Sequence, residues 1–122
     1  DRHPKLKVAF LEGNCSWLPF LLWRMDEHWE RLGDVHAPNL KSAPSEYFKK
    51  QCFASAEADE EPLKYVIDYM GNECLVFSTD FPHYDAIYPG SVAAMADRKD
   101  MTDSQKRKAL RDNSLRMYGV KK

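Results

Sequence analysis

The stretch Cys74-Leu75-Val76-Phe77-Ser78-Thr79-Asp80-Phe81-Pro82-His83-Tyr84-Asp85 decides the fold of this 122-residue chain. Its first half is apolar and rich in strand-forming residues, and the prolines and glycine at positions 82, 89 and 90 then force the backbone into a loop. The pattern predicts a buried strand that ends in an acid. In α/β proteins the carboxyl ends of parallel strands open onto the active site, so Asp80 is a candidate catalytic residue. The alternative is an acid that only caps a helix or stabilises a turn.

Two earlier segments repeat this layout. Residues 6–11 form a short apolar run that stops at an acid and a turn, and residues 51–55 form a weaker predicted strand. Apolar residues at helical spacing predict a helix from Leu18 to Gly33, with Ser16 as its N-cap. A loop is predicted over residues 34–45, followed by a short helical turn.

The second half of the chain continues the alternation. The acid-rich residues 59–62 are expected to begin a helix that ends at Gly71, and a short helix is expected over residues 91–96. Residues 102–105 form a capping box, which predicts a last helix through Met117 that Gly119 closes.

Strands that alternate with amphipathic helices predict a parallel α/β sheet with right-handed crossovers. Residues 1–122 are thus predicted to be a single partial domain of three β/α units. Such units form either a small doubly wound sheet or part of an eight-unit barrel. Three units alone leave two open sheet edges, which invite pairing with more chain or with another subunit.

Composition excludes several classes of function. Eighteen basic and nineteen acidic side chains give a net charge of -1 without a basic block, so a nucleic-acid footprint is absent. No apolar run approaches the roughly 20 residues that span a bilayer, and the N-terminus lacks a signal-peptide core. The three cysteines show no C-x-x-C spacing, which indicates reduced thiols. We therefore predict a cytoplasmic protein.

Polar residues fall at all three predicted strand ends: Glu12, residues 55–57, and Asp80 with His83 and Asp85 nearby. In a parallel barrel they would converge on one face, where carboxylates and a histidine suit zinc, manganese or a similar divalent ion. The chain has no H-x-H or H-x-x-H pair, so these residues alone do not make a complete three-ligand site. Phosphate-cradle and G-x-S-x-G motifs are also missing, which disfavours a dinucleotide fold or a serine triad.

Several segments carry a family resemblance. Residues 6–29, with L-K-V-A-F-L-E-G and W-L-P-F, resemble the late-barrel segment of the amidohydrolase-related family, which comprises metal-dependent TIM-barrel hydrolases and decarboxylases. Residues 44–55 resemble its next strand unit, and residues 112–119 resemble its closing helix. Residues 78–85 are similar to its last-strand motif S-x-D-x-P-H-x-D.

This resemblance implies that residues 1–122 are the last third of a TIM (β/α)8 barrel, strands six to eight. Asp80 would be the family aspartate that binds the metal and handles protons, with His83 as its supporting hydrogen-bond partner. Glu12 stands where decarboxylase relatives carry a histidine. That departure weakens the expectation of decarboxylation and leaves Glu12 as a candidate acid/base group or substrate contact.

The resemblance also implies that the first-strand H-x-H and the fifth-strand histidine lie upstream of residue 1. The chain alone is therefore expected to hold an incomplete metal site and to be inactive until the missing segment or another subunit is supplied. The implied substrate is a small carboxylated or aromatic compound, hydrolysed, hydrated or decarboxylated through metal-activated water. The alternative hypothesis is a non-catalytic barrel fragment that serves as a self-associating or partner-binding module.

Overall fold

The computed structural model describes residues 2–121 and contains one sheet of three parallel strands. The strands are β1 (Val8–Phe10), β2 (Cys52–Ala56) and β3 (Leu75–Phe77), arranged in the order β1-β2-β3. Ala9 pairs with Phe53 in the first ladder, and Ser55 pairs with Val76 in the second. The predicted α/β class and the three successive β/α units are confirmed.

Helices connect the strands and follow the last of them. Two helices lie between β1 and β2, one lies between β2 and β3, and a helical series closes the chain. They are α1 (Leu18–His36), α2 (Pro44–Gln51), α3 (Leu63–Met70), α4 (Ser91–Asp97), α5 (Asp103–Arg107), a π-helical segment (Lys108–Asp112) and α6 (Asn113–Tyr118). Within residues 2–121, no helix combines the length and the apolar character needed to cross a bilayer.

The core lies between the sheet and the helices that cover it. Its largest side chains with no measurable exposure belong to Phe53 on β2, Leu75 on β3, Leu18, Leu63 and Met95. In contrast, β1 is exposed along its whole length. Strands of parallel sheets are normally buried on both faces, so β1 is an open, uncovered edge of this sheet.

The predicted start of α1 at Leu18 is confirmed, but its predicted C-terminal end and its N-cap residue were wrong. The helix passes through Gly33 and ends at His36, because Gly33 is a packing position: a Cβ there would lie 2.8 Å from Cδ1 of the Trp29 ring. Residues 34–36, predicted as loop, are therefore helical. Trp17 occupies the N-cap position, and the Ser16 hydroxyl donates a hydrogen bond to Glu60 instead of capping the helix.

Three further boundaries differ from the sequence prediction. α2 starts at Pro44, one residue before the end of the predicted loop, since proline suits the first turn of a helix. Gln51, predicted as strand, is the last residue of this helix. α3 begins only at Leu63, with no acid in its first turn, because the carboxylate of Glu60 is buried against another loop.

The closing helix is not continuous as predicted. The π-helical segment interrupts it before Asn113, a buried residue whose side-chain amide donates to the carbonyls of Asn72 and Leu75 at 2.5 and 2.7 Å. These bonds attach α6 to the start of β3. The predicted end is confirmed, since Gly119 stands at the C-cap with φ +71°.

The predicted capping box at the start of α5 is also confirmed and can be tested. Thr102 Oγ1 accepts from the Gln105 N–H at 3.3 Å, and Gln105 Oε1 accepts from the Thr102 N–H at 2.8 Å. Thr102→Ala should lower the free energy of unfolding by about 1 kcal/mol in urea titrations, because one helix N–H loses its acceptor. Thr102→Ser keeps the oxygen and should stay close to wild type; an equal loss in both variants would contradict this role.

Candidate functional site

Asp80 is held in a tight turn just beyond β3. Its backbone lies in the left-handed region with φ +52°, which aspartate and asparagine tolerate better than most residues. The Asp80 carbonyl accepts the N–H of His83 at 2.9 Å, and the Asp80 N–H lies 3.3 Å from Ser78 Oγ. The side chain is only 18% exposed, so its carboxylate is fixed at the carboxyl edge of the sheet.

A cluster of three possible metal ligands forms around this turn. His83 Nδ1 lies 2.8 Å from Asp80 Oδ2. One ligand atom from each of Asp80, His83 and Asp85 falls within 4.8 Å of the other two. Two carboxylates and an imidazole are donors that zinc and manganese accept, and the exposure of His83 and Asp85 leaves the cluster open to solvent.

Negative charge accumulates between the ends of β2 and β3. The pKa of Glu57, the residue that follows β2, is raised first by burial and then by the charges of Asp80, Asp59, Glu60 and Asp85. Glu57 and Asp80 thus lie close enough for their charges to interact between the ends of β2 and β3. The sequence analysis identified residues 55–57 only as a region. Glu57 could have been singled out within it, because it is the residue directly after β2.

Glu12 lies apart from this cluster. It is exposed, follows β1 by two residues and has φ +62°. In the described part of the chain, its carboxylate does not belong to the group of close ligand atoms around Asp80. The structure thus brings together Asp80 and His83 but not Glu12, whose role stays a prediction.

A buried acid that sequence reasoning missed joins two loops beside the site. Glu60 Oε1 accepts the backbone N–H groups of Cys15 and Ser16 at 2.9 and 2.8 Å, and it also accepts the Ser16 hydroxyl. The Cys15 thiol donates to Oε2 at 3.3 Å; burial, and then the Glu60 charge, raise the pKa of this thiol well above its ordinary value. Arg98 donates to the carbonyls of Ala58 and Glu60, both at 2.9 Å. The loops after β1 and β2 are therefore held together by one carboxylate.

Because the pKa of Glu57 is raised, removing its charge should increase the stability of the folded protein, and the increase should depend on pH. The folded state binds this proton more tightly than the unfolded state, so stability falls as pH rises above the ordinary pKa of 4.5. Glu57→Gln should therefore raise the thermal midpoint at pH 7 in the presence of a chelator, and its advantage should vanish below about pH 4.5. Glu61→Gln, at an exposed neighbour, is the control. A Glu57→Gln midpoint below wild type at pH 7 would contradict the prediction.

The sequence of this chain is similar to sequences of known proteins. The amidohydrolase family model matches residues 1–120. A 2-amino-3-carboxymuconate-6-semialdehyde decarboxylase from Dictyostelium discoideum is 30% identical over 121 residues, which cover 98% of this chain and 33% of that protein.

Solved structures share the same fold. The crystal structure of 5-carboxyvanillate decarboxylase from Sphingomonas paucimobilis superposes with a TM-score of 0.76 at 25% identity, covering 99% of this chain and 36% of that one. A dihydroxybenzoic acid decarboxylase from Polaromonas sp. JS666, with bound manganese and the inhibitor 2-nitroresorcinol, gives a TM-score of 0.73 at 18% identity, covering 98% and 36%. The chain thus spans about a third of the length of these relatives, and its three β/α units correspond to part of a TIM barrel.

Proposed function

Because this chain belongs to the amidohydrolase family, we propose that it supplies the metal-binding carboxylate of an active site for small carboxylated aromatic substrates. The observation that carries the proposal is the placement of Asp80. Its carboxylate stands at the carboxyl edge of a parallel sheet, within 4.8 Å of ligand atoms of His83 and Asp85. This edge is where barrel enzymes collect their catalytic groups.

A divalent ion fits the donor set and the charge at this position. Asp80 would bind the ion through one carboxylate oxygen, while His83 at 2.8 Å from the other oxygen would fix its orientation. When bound, such an ion polarises a carbonyl oxygen or lowers the pKa of a bound water. Zinc and manganese both accept these donors, and the manganese of the Polaromonas enzyme supports manganese as the first choice.

The relatives guide the choice of substrate and reaction. The Dictyostelium and Sphingomonas proteins are both named as decarboxylases of carboxylated compounds, which supports decarboxylation of an aromatic acid as the first reaction to test. Hydrolysis and hydration use the same metal chemistry and are the alternatives. Glu12, which follows β1, is proposed as an acid/base group or substrate contact.

The proposed site requires additional strands. β1 presents Val8 and Phe10 at 38% and 43% exposure, flanked by the exposed Leu6 and Leu11. A strand buried in a barrel would have this apolar surface covered. We therefore propose that strands beyond these 122 residues, or from a second copy, pair with the open edges at β1 and β3.

The three unpaired cysteines support the predicted location. Cys15, Cys52 and Cys74 are all free thiols in the structure. Unpaired thiols are typical of proteins in a reducing compartment. The cytoplasm is accordingly the proposed location.

The function can be tested with the polypeptide that carries the completed barrel. After loading with Mn²⁺ or Zn²⁺, it should release CO₂ from 5-carboxyvanillate or from a dihydroxybenzoate. A chelator should remove this activity, and added metal should restore it. The 122-residue chain alone should be inactive. A completed barrel that binds no metal and converts none of these acids would refute the proposal.

A partner-binding module is the second candidate, favoured by the exposed apolar surface. Besides β1, the rings of Phe20 and Trp23 pack on each other while they are 67% and 47% exposed. Native mass spectrometry separates the two functions. A metal-free homo-oligomer of 14.2 kDa chains would favour the module. A metal-bearing complex that contains further barrel strands would favour the enzyme.

A further inference from the structure

Two histidines meet at the C-terminal end of α1. His28 Nε2 lies 2.8 Å from His36 Nδ1, with ring centroids 5.0 Å apart and ring planes inclined by 32°. Both side chains are exposed, and neither belongs to the ligand cluster around Asp80. We propose that this pair is a second metal site, which binds Cu²⁺ or Ni²⁺ and is independent of the candidate active site.

The two nitrogens lie close enough to share one ion. Imidazole nitrogens bind first-row metals at about 2.0 Å, so two of them at right angles on a tetragonal ion are about 2.8 Å apart. A tetrahedral zinc ion would hold them about 3.3 Å apart. The observed 2.8 Å is the length of an N–H···N hydrogen bond, so both nitrogens already lie within reach of one ion, and small rotations of the exposed rings direct both lone pairs at it. The proton of the hydrogen bond then moves to the other nitrogen of the ring that carried it. Cu²⁺ and Ni²⁺ stand high in the affinity order for nitrogen donors, which favours them at a site of two imidazoles.

The surroundings leave room for the remaining ligands. The pair lines a hollow of about 410 Å³ together with Met25 and Trp29, beside Gly33, which has no side chain. Water molecules can complete the coordination there. Arg24 lines the same hollow, and its positive charge lowers the affinity for a cation without occupying a ligand position.

The site depends on the extension of α1 past Gly33. Eight residues separate the two histidines, which corresponds to a rise of about 12 Å along the axis, or just over two turns. An ion held by both rings therefore links the last turns of α1. Metal binding should stabilise the folded protein, because the unfolded chain does not hold the two rings together.

The test uses the tag-free protein titrated with CuCl₂ and NiCl₂, followed by calorimetry and by tryptophan emission. Trp29 lines the hollow, so bound Cu²⁺ should quench its emission. His28→Gln and His36→Gln should each weaken Cu²⁺ binding about tenfold or more. Each protein is made in a His3→Gln background, because a free amino group at residue 1 and a histidine at position 3 together chelate Cu²⁺ and Ni²⁺. Glu30→Gln, at an exposed position of the same helix, is the matched control and should bind like this background.

Asp80→Asn tests whether this site is independent of the proposed active site. The variant should still bind one Cu²⁺ ion per chain as tightly as the protein with Asp80; this ion is the tight Cu²⁺ equivalent. Electron paramagnetic resonance of the His3→Gln protein provides a second readout, because two imidazoles should give nitrogen splitting from two ligands. Unchanged binding in His28→Gln, loss of this equivalent in Asp80→Asn, or a spectrum without imidazole nitrogen would each overturn the proposal. Absence of catalytic activity would not affect it.

Discussion

Asp80→Asn is expected to lower kcat/KM of the completed, metal-loaded enzyme by about 100-fold or more while leaving the fold intact. Removing the charge weakens binding of the ion and its electrostatic effect, and a loss of about 2.7 kcal/mol in the transition state is a factor of about 100. Asparagine has the size of aspartate and also tolerates the left-handed backbone at φ +52°. Steady-state kinetics and metal analysis of the purified variant measure both effects.

Two other variants make this prediction specific. Asp85→Asn makes the same chemical change in an exposed residue of the same loop, and it should cost less than tenfold in kcat/KM. Asp80→Ala adds backbone strain of about 1–2 kcal/mol, because alanine is disfavoured in the left-handed region. It should therefore lose both activity and stability. Full activity and full metal content in Asp80→Asn would remove Asp80 from the site.

The local part of the site was predictable from sequence because its signals are local. A β-rich apolar run that ends in an acid and a proline-bearing loop predicts both β3 and the placement of Asp80 and His83 beyond it. The capping box at Thr102 and the glycine at 119 are likewise local, and both were correctly identified. Turn and cap preferences depend on side chains a few residues apart, which the sequence displays directly.

Features that depend on distant packing were missed. Gly33 is typical of a helix end, yet here it makes room for Trp29, and α1 continues until His36 comes within reach of His28. The hydrophobic periodicity of the sequence does not reveal contacts of this kind. For Glu12, the strand-end pattern is correct, but β1 and β3 lie on opposite sides of β2, and the Glu12 carboxylate is not one of the close ligand atoms around Asp80.

Glu60→Ala should lower the free energy of unfolding by about 3 kcal/mol, and the thermal midpoint by roughly 10 °C for a chain of this length. Glu60 is 7% exposed, and its carboxylate accepts four hydrogen bonds from Cys15 and Ser16. Without it, the N–H of Cys15, a residue with no measurable exposure, has neither a protein acceptor nor access to water. A buried donor left unsatisfied carries the full cost of its desolvation.

The conservative variant distinguishes the hydrogen bonds from the charge. Glu60→Gln keeps one oxygen that can face the N–H groups of Cys15 and Ser16, so it should cost only about 1 kcal/mol. Glu61→Ala changes an exposed acid next in sequence and should stay within about 0.5 kcal/mol of wild type. Urea unfolding of the three variants measures their free energies of unfolding and so gives the order of their stabilities. Equal stabilities for Glu60→Ala and Glu61→Ala would mean that the Glu60 carboxylate does not hold the two loops together. The expected order of stabilities would mean that this carboxylate joins the loop that carries Glu12 to the loop after β2.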